Sequence, residues 1–146
     1  MTFITPDVFL ANVQPGNIYY FQSDQLNGTN QPHYFIALKN TENELVFFSC
    51  CTTQMERRLR FIERTGSPHS TLVGITPSAE NGLQRESFVD CNSIIQHTHD
   101  EIAFLVTDGG IDYRGELEEE YLELIYQGIR DSILLEEEVQ DLLIPE

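Results

Sequence analysis

Basic residues are scarce in this chain: eight Lys and Arg stand against 24 Asp and Glu, a formal net charge of −16. Such a chain repels a phosphate backbone as a whole, so any contact with nucleic acid has to come from a local cluster of cations. Long apolar runs are missing too. No stretch approaches the roughly 20 apolar residues of a membrane-spanning helix, so no membrane association is expected. The opening MTFITPDVFLANVQ lacks the basic start and long apolar segment of a secretory signal, which makes a cytoplasmic location the default expectation. There are only three cysteines, Cys50, Cys51 and Cys91, with no CxxC spacing, and the adjacent pair is poorly placed to bridge. This usage points to reduced thiols, with Cys91 and one of the pair packed as small hydrophobes.

Apolar residues are not lacking: at 40% of the sequence they suffice for one core, and residues 1–146 read as a single domain. The charge divides that domain. Residues 1–99 hold nine acidic and six basic groups, a net of −3, whereas residues 100–146 hold 15 acidic and two basic groups, a net of −13. Four arginines, Arg57, Arg58, Arg60 and Arg64, fall within eight residues.

Thr5-Pro6-Asp7 reads as a helix start, with Thr as cap and Pro at the first helical position, for a short helix to about Asn12. GNIYYFQ follows as a strand, with Ile18 and Tyr20 facing one way and Tyr19 and Phe21 the other. A loop of about nine residues contains the turn signal Asn27-Gly28. HYFIALK and ELVFFSCC are strands joined by NTEN, so uniformly apolar that both should be covered on both faces. Thr53-x-x-Glu56 matches a capping box, and Met55, Leu59 and Ile62 recur at helical spacing, which predicts a helix over 54–64 with its arginines outward. STLVGI and ESFVDC are further strands, and SIIQHTH is a candidate for another. Residues 116–131 form an amphipathic pattern with Leu117, Tyr121, Leu124, Ile125, Gly128 and Ile129 inward and a glutamate face outward. Ser132 is a candidate cap for a last helix with Val139, Leu142 and Leu143 inward. The class is α+β: a small antiparallel barrel or half-barrel at about 15–105, a helix inserted between its strands, and an acidic helical part at about 112–146.

The order of PGNIYYF, a long loop, QPHYFIALKN, a strand ending SCCTTQ, SFVDCNSII and a C-terminal amphipathic helix resembles the MazF/PemK-like (plug-barrel) toxins of toxin–antitoxin pairs. The likeness covers roughly residues 15–130. It implies an SH3-like antiparallel β-barrel, usually a homodimer, bound by an antitoxin protein. It also implies metal-independent endoribonuclease activity on single-stranded RNA, with no cofactor. In that chemistry the ribose 2′-hydroxyl attacks the adjacent phosphate, leaving a cyclic phosphate and a free 5′-hydroxyl. The family's serine or threonine near the end of the third strand corresponds to Thr52 and Thr53. Its arginine beside a proline at the start of the second strand is replaced here by Pro32-His33.

On this basis the catalytic candidates are His33, Thr52 and Thr53. His33 would act as acid or base, since imidazole titrates near neutrality, and the threonines would donate hydrogen bonds to phosphate oxygens. Arg57, Arg58 and Arg85 are the candidates for RNA binding. The alternative is a catalytically inactive barrel that serves as a protein-interaction module, which the absent arginine and the acidic C-terminal third favour. A thiol nucleophile at Cys50 or Cys51 needs a lowered pKa. His97 and His99, alternate residues of a strand beside Asp100 and Glu101, invite a metal reading, but a solvent-exposed stretch accounts for them, and no metal site is assigned.

Overall fold

The computed structural model describes residues 4–26, 30–42 and 44–145; the turn signal at Asn27-Gly28 lies outside them. Among the described residues the elements run α1 (Pro6–Ala11), β1 (Asn17–Phe21), β2 (His33–Asn40), β3 (Leu45–Thr52), α2 (Met55–Thr65), β4 (Leu72–Ile75), β5 (Ser87–Thr98), α3 (His99–Asp108), β6 (Ile111–Glu116), α4 (Glu119–Asp131) and α5 (Glu137–Leu143). The class is α+β. All six strands join one sheet in the order β4-β5-β3-β2-β1-β6, and every pairing is antiparallel. No helix is long and apolar enough to cross a membrane among the described residues.

The sheet does not close into a barrel: β4 and β6 are its two edges. The loop at 76–86 spans from the β4 edge to the β6 edge instead. The Glu116 N–H donates to the Glu80 carbonyl at 3.0 Å, and a Cβ on Gly115 would lie 2.5 Å from that same carbonyl oxygen, so only glycine admits the approach. Buried Asn81 fixes the loop. Its side-chain carbonyl accepts from the N–H of Ser78 and Leu83, and its amide donates to the Thr76 carbonyl and to Glu118 Oε1. All four of its hydrogen-bonding positions are filled, which makes the loop a rigid platform.

Both faces of the sheet are covered. On one, Ile18, Ile36, Val73, Val89 and Cys91 meet Ile125 and Ile129 of α4 and Leu143 of α5. On the other, Tyr19, Phe21, Phe35, Val46 and Phe48 meet Ile102 of α3, with Phe9 and Leu10 of α1 packed alongside. This double cover explains the nearly unbroken apolar runs of β2 and β3. It also bears out the facing expected of Ile18 against Tyr19 and Phe21, and the burial of Cys51 and Cys91.

Several local expectations are corrected. Thr53 does not cap α2: Gln54 holds the cap position without a side-chain bond, and Thr52 Oγ1 accepts from the Gln54 N–H at 3.1 Å. The true capping box is Thr98-x-x-Glu101, with both reciprocal bonds present. It ends the strand and starts α3, a helix not expected from the sequence. SIIQHTH is no separate strand but the second half of β5, because Ile95 and His97 continue the inward alternation. The polar edge strand β6 was not expected either, so α4 begins at Glu119 rather than 116. Leu124 is 53% exposed and Tyr126 takes a buried place instead. Ser132 does not cap α5, whose cap is Glu136; its hydroxyl donates to Asn92 Oδ1 at 2.6 Å and accepts from the N–H of Leu134 and Leu135. Leu143 is buried, but Leu142 is exposed.

Candidate functional site

Strand register assembles the first site. Phe35 of β2 pairs with Cys50 of β3, and continuing that ladder brings His33 level with Thr52. Tyr20 of β1 pairs with Tyr34 of β2, and Thr52 pairs with Phe88 of β5. The start of β2, the end of β3 and the start of β5 therefore share one end of the sheet. There they line a cleft of about 390 Å³, whose walls include His33, Thr52, Thr53, Tyr20 and Tyr34, with Arg85 supplied by the loop at 76–86. No carboxylate side chain is among the residues lining this cleft.

His33 is half-buried. Its Nδ1 lies 2.9 Å from the Gln31 carbonyl oxygen. A carbonyl only accepts, so this contact assigns the proton to Nδ1 and leaves the lone pair of the neutral ring on Nε2. Thr52 Oγ1 accepts from the Gln54 N–H, which leaves the hydroxyl proton to be donated. The two tyrosine rings lie 4.8 Å apart between centroids. The Arg114 guanidinium stands over them, 4.8 Å from the Tyr20 centroid and 6.0 Å from that of Tyr34. It also reaches Asp112 at 3.5 Å.

Sequence reasoning missed Arg114. Its position over the tyrosines depends on the pairing of β6 with β1, and no local signal announces that pairing. Arg85 joins His33, Thr52 and Thr53, but Arg57 and Arg58 are not among the residues lining the cleft. Arg58 lies 3.6 Å from the buried Asp90 carboxylate, and Arg57 reaches Gln54 Oε1 at 3.5 Å.

The thiols are poor nucleophiles. Burial pushes Cys50 up to about 12, against the weaker opposing pull of Arg58. Cys91 is pushed up to about 12 by burial and then by Asp90 and Asp131. Cys51 is pushed still higher by burial. At neutral pH these groups stay protonated.

His97 and His99 are not alternate residues of one strand, because α3 begins at His99. His99 Nε2 contacts Asn40 Oδ1 at 2.8 Å. His97 is not solvent-exposed as expected: it is 3% exposed, with Nε2 2.8 Å from Ser23 Oγ.

No family model matches this chain, and no curated protein matches it.

Proposed function

We propose that the chain is a divergent relative of the MazF/PemK-like toxins and a metal-independent endoribonuclease acting on single-stranded RNA at the His33 cleft. The observation that carries this reading is the convergence of His33, Thr52, Thr53 and Arg85 on one cleft that has two tyrosines and no carboxylate in its lining. Aromatic faces stack unpaired bases, and arginine supplies the charge that a phosphate needs. The six-stranded antiparallel sheet, its two edges bridged by the loop at 76–86, is compatible with an opened form of the SH3-like barrel.

The chemistry follows from the groups present. The substrate's 2′-hydroxyl attacks phosphorus, its proton passes to Nε2 of His33, and the bond from phosphorus to the 5′-oxygen breaks. The departing oxygen takes a proton from the imidazolium or from water, which leaves a cyclic phosphate and a 5′-hydroxyl. Thr52 donates to a non-bridging oxygen, and Arg85 balances the charge of the phosphorane. The family's arginine at the start of β2 is absent, so the charge has to come from Arg85 and from Arg114 above the tyrosines. The same reading implies a homodimer, a cytoplasmic location and an antitoxin protein that covers the cleft.

The test is incubation of the full chain with single-stranded RNA in excess chelator, with product ends mapped. Cleavage that stops when the 2′-hydroxyl at the cut site is replaced by hydrogen, and that is lost in His33→Ala, supports the assignment. Absence of cleavage, or full activity in His33→Ala, overturns it.

A second reading, a protein-interaction module without catalysis, draws on a separate observation. The acidic C-terminal third exposes Leu124, Ile133, Leu134 and Leu142, a combination suited to a partner surface that is basic and apolar. It stands if RNA is never cut.

A further inference from the structure

A second cavity, of about 890 Å³, lies beyond Pro32, which it shares with the His33 cleft. Its chemistry is opposite to that of the His33 cleft: Asp24, Asp100, Glu101 and Asp108 line it, with no Lys or Arg. At its wall is His97, 3% exposed and packed edge-on against the rings of Phe21 and Phe48. Its Nδ1 is buried and makes no hydrogen bond. The nearest charged atom is Glu101 Oε2 at 3.4 Å, within ion-pair reach but without hydrogen-bond geometry.

When the Nε2–H donates to Ser23 Oγ, the Nδ1 lone pair points toward a carboxylate oxygen, and two acceptors then face each other in a buried site. Either a proton on Nδ1, with the Ser23 hydroxyl then donating to Nε2, or a metal ion between the two donors removes the conflict. The spacing fits a metal ion: one about 2.0–2.1 Å from an imidazole nitrogen and from a carboxylate oxygen, at a tetrahedral angle, sets the two donors about 3.3 Å apart. Asp24, on the turn that follows β1, supplies a third donor; one ligand atom each from Asp24, His97 and Glu101 lie within 4.8 Å of one another. The support around the ligands is also in place. Ser23 Oγ holds the far nitrogen of the imidazole at 2.8 Å and is itself fixed by the Gln25 N–H. Glu101 Oε1 is anchored by the Thr98 N–H at 2.9 Å, which leaves Oε2 directed at His97. Metal-binding histidines and carboxylates are characteristically held in this way by outer partners.

We infer that His97 Nδ1, Glu101 and Asp24 bind one divalent transition-metal ion, with the remaining coordination position open to the acidic cavity. One imidazole and two carboxylates select a nitrogen- and oxygen-seeking ion, with Zn²⁺ held more tightly than Mn²⁺.

The test uses the full chain, stripped with chelator and titrated with Zn²⁺ and then with Mn²⁺ by calorimetry. One Zn²⁺ should bind per chain. Asp24→Asn and Glu101→Gln should each weaken it about 10- to 100-fold or more, and Asp108→Asn, in the same cavity, should leave it near the parent value. Both variants spare the fold: Asp24 is exposed, and a glutamine at position 101 still serves the capping box. Co²⁺ in place of Zn²⁺ should give the visible absorption of a tetrahedral site. Failure to bind one ion per chain, or parent-like affinity in either Asp24→Asn or Glu101→Gln, overturns the site. The readout is independent of RNA cleavage, which is proposed to persist in chelator.

Discussion

His33 and His97 sit on the same face of one sheet, each against the phenylalanine cluster, in two clefts that share Pro32 as a wall. The side chains are identical and their surroundings are not. His33 is half-buried, hydrogen-bonded to a neutral carbonyl and accompanied by Arg85 in a cleft without carboxylates in its lining. His97 is buried among phenylalanine rings, with one nitrogen on a serine and the other turned toward Glu101. The first environment leaves a basic nitrogen accessible to an incoming anion, and the second presents a lone pair and carboxylates to a cation. The lesson is that a histidine's role is set by the charges facing each ring nitrogen, and these come from elements distant in the chain.

The comparison is broken most sharply by exchanging losses. His33→Ala should reduce RNA cleavage by about 10²- to 10⁴-fold, the usual worth of a positioned acid or base, and should leave Zn²⁺ binding and thermal stability near the parent values. Parallel RNA cleavage assays and metal titrations check it, and a variant that loses both functions would mean that the two clefts are one coupled site.

Phe21→Ala comes next. This ring is 1% exposed, stacks on Phe35 at 4.3 Å and walls His97 at 5.7 Å. Its truncation should cost about 3–5 kcal/mol of stability, measured by urea unfolding. A cost under about 1 kcal/mol would show that the aromatic wall of the His97 cavity is loosely packed.

Arg85→Ala should slow cleavage by about 10²- to 10³-fold, the cost of losing one transition-state stabiliser. Arg57→Ala should leave the rate nearly unchanged, because Arg57 is not part of the cleft lining. Equal losses in the two variants would move the RNA path onto α2.

The smallest effect concerns the thiols. With Cys50 and Cys91 raised to about 12 from an ordinary 9.0, they remain protonated at pH 8, so alkylation of the native chain should be slow and cleavage insensitive to it. The sign of the stability effect follows from linkage. Below about pH 9 the thiols are protonated in both states. Between about 9 and 12 the unfolded chain ionises its thiols while the folded chain does not, so stability present at neutral pH declines as pH rises. Urea midpoints between pH 7 and 10.5 should show the fall, and a flat profile would mean that the cysteines are less buried than their packing indicates.

Much of the fold was legible where a local rule and the tertiary environment agree. Thr5-Pro6-Asp7 caps α1 as the residues dictate, and the apolar runs of β2 and β3 lie between two helical layers. Misreadings arose where a local rule had two claimants. Thr53-x-x-Glu56 and Thr98-x-x-Glu101 both match a capping box, and only the second forms one. Leu124 lies on the same helical stripe as Ile125, yet α4 turns Ile125, Tyr126 and Ile129 to the sheet. There Gly128 brings the helix so close that a Cβ would lie 2.6 Å from Cys91 Sγ.

The sequence by itself determined the α+β class and most of the strands, and it pointed to His33, Thr52 and Thr53, which line the first cleft, because period, caps and residue chemistry are local properties. Only the tertiary structure decided that β6 would complete the sheet edge and set Arg114 over Tyr20, that Arg85 would meet His33, and that Asp24 would approach His97 across more than 70 residues of chain. Those distances depend on strand order and register, which the packing of both sheet faces fixes together and no short segment encodes.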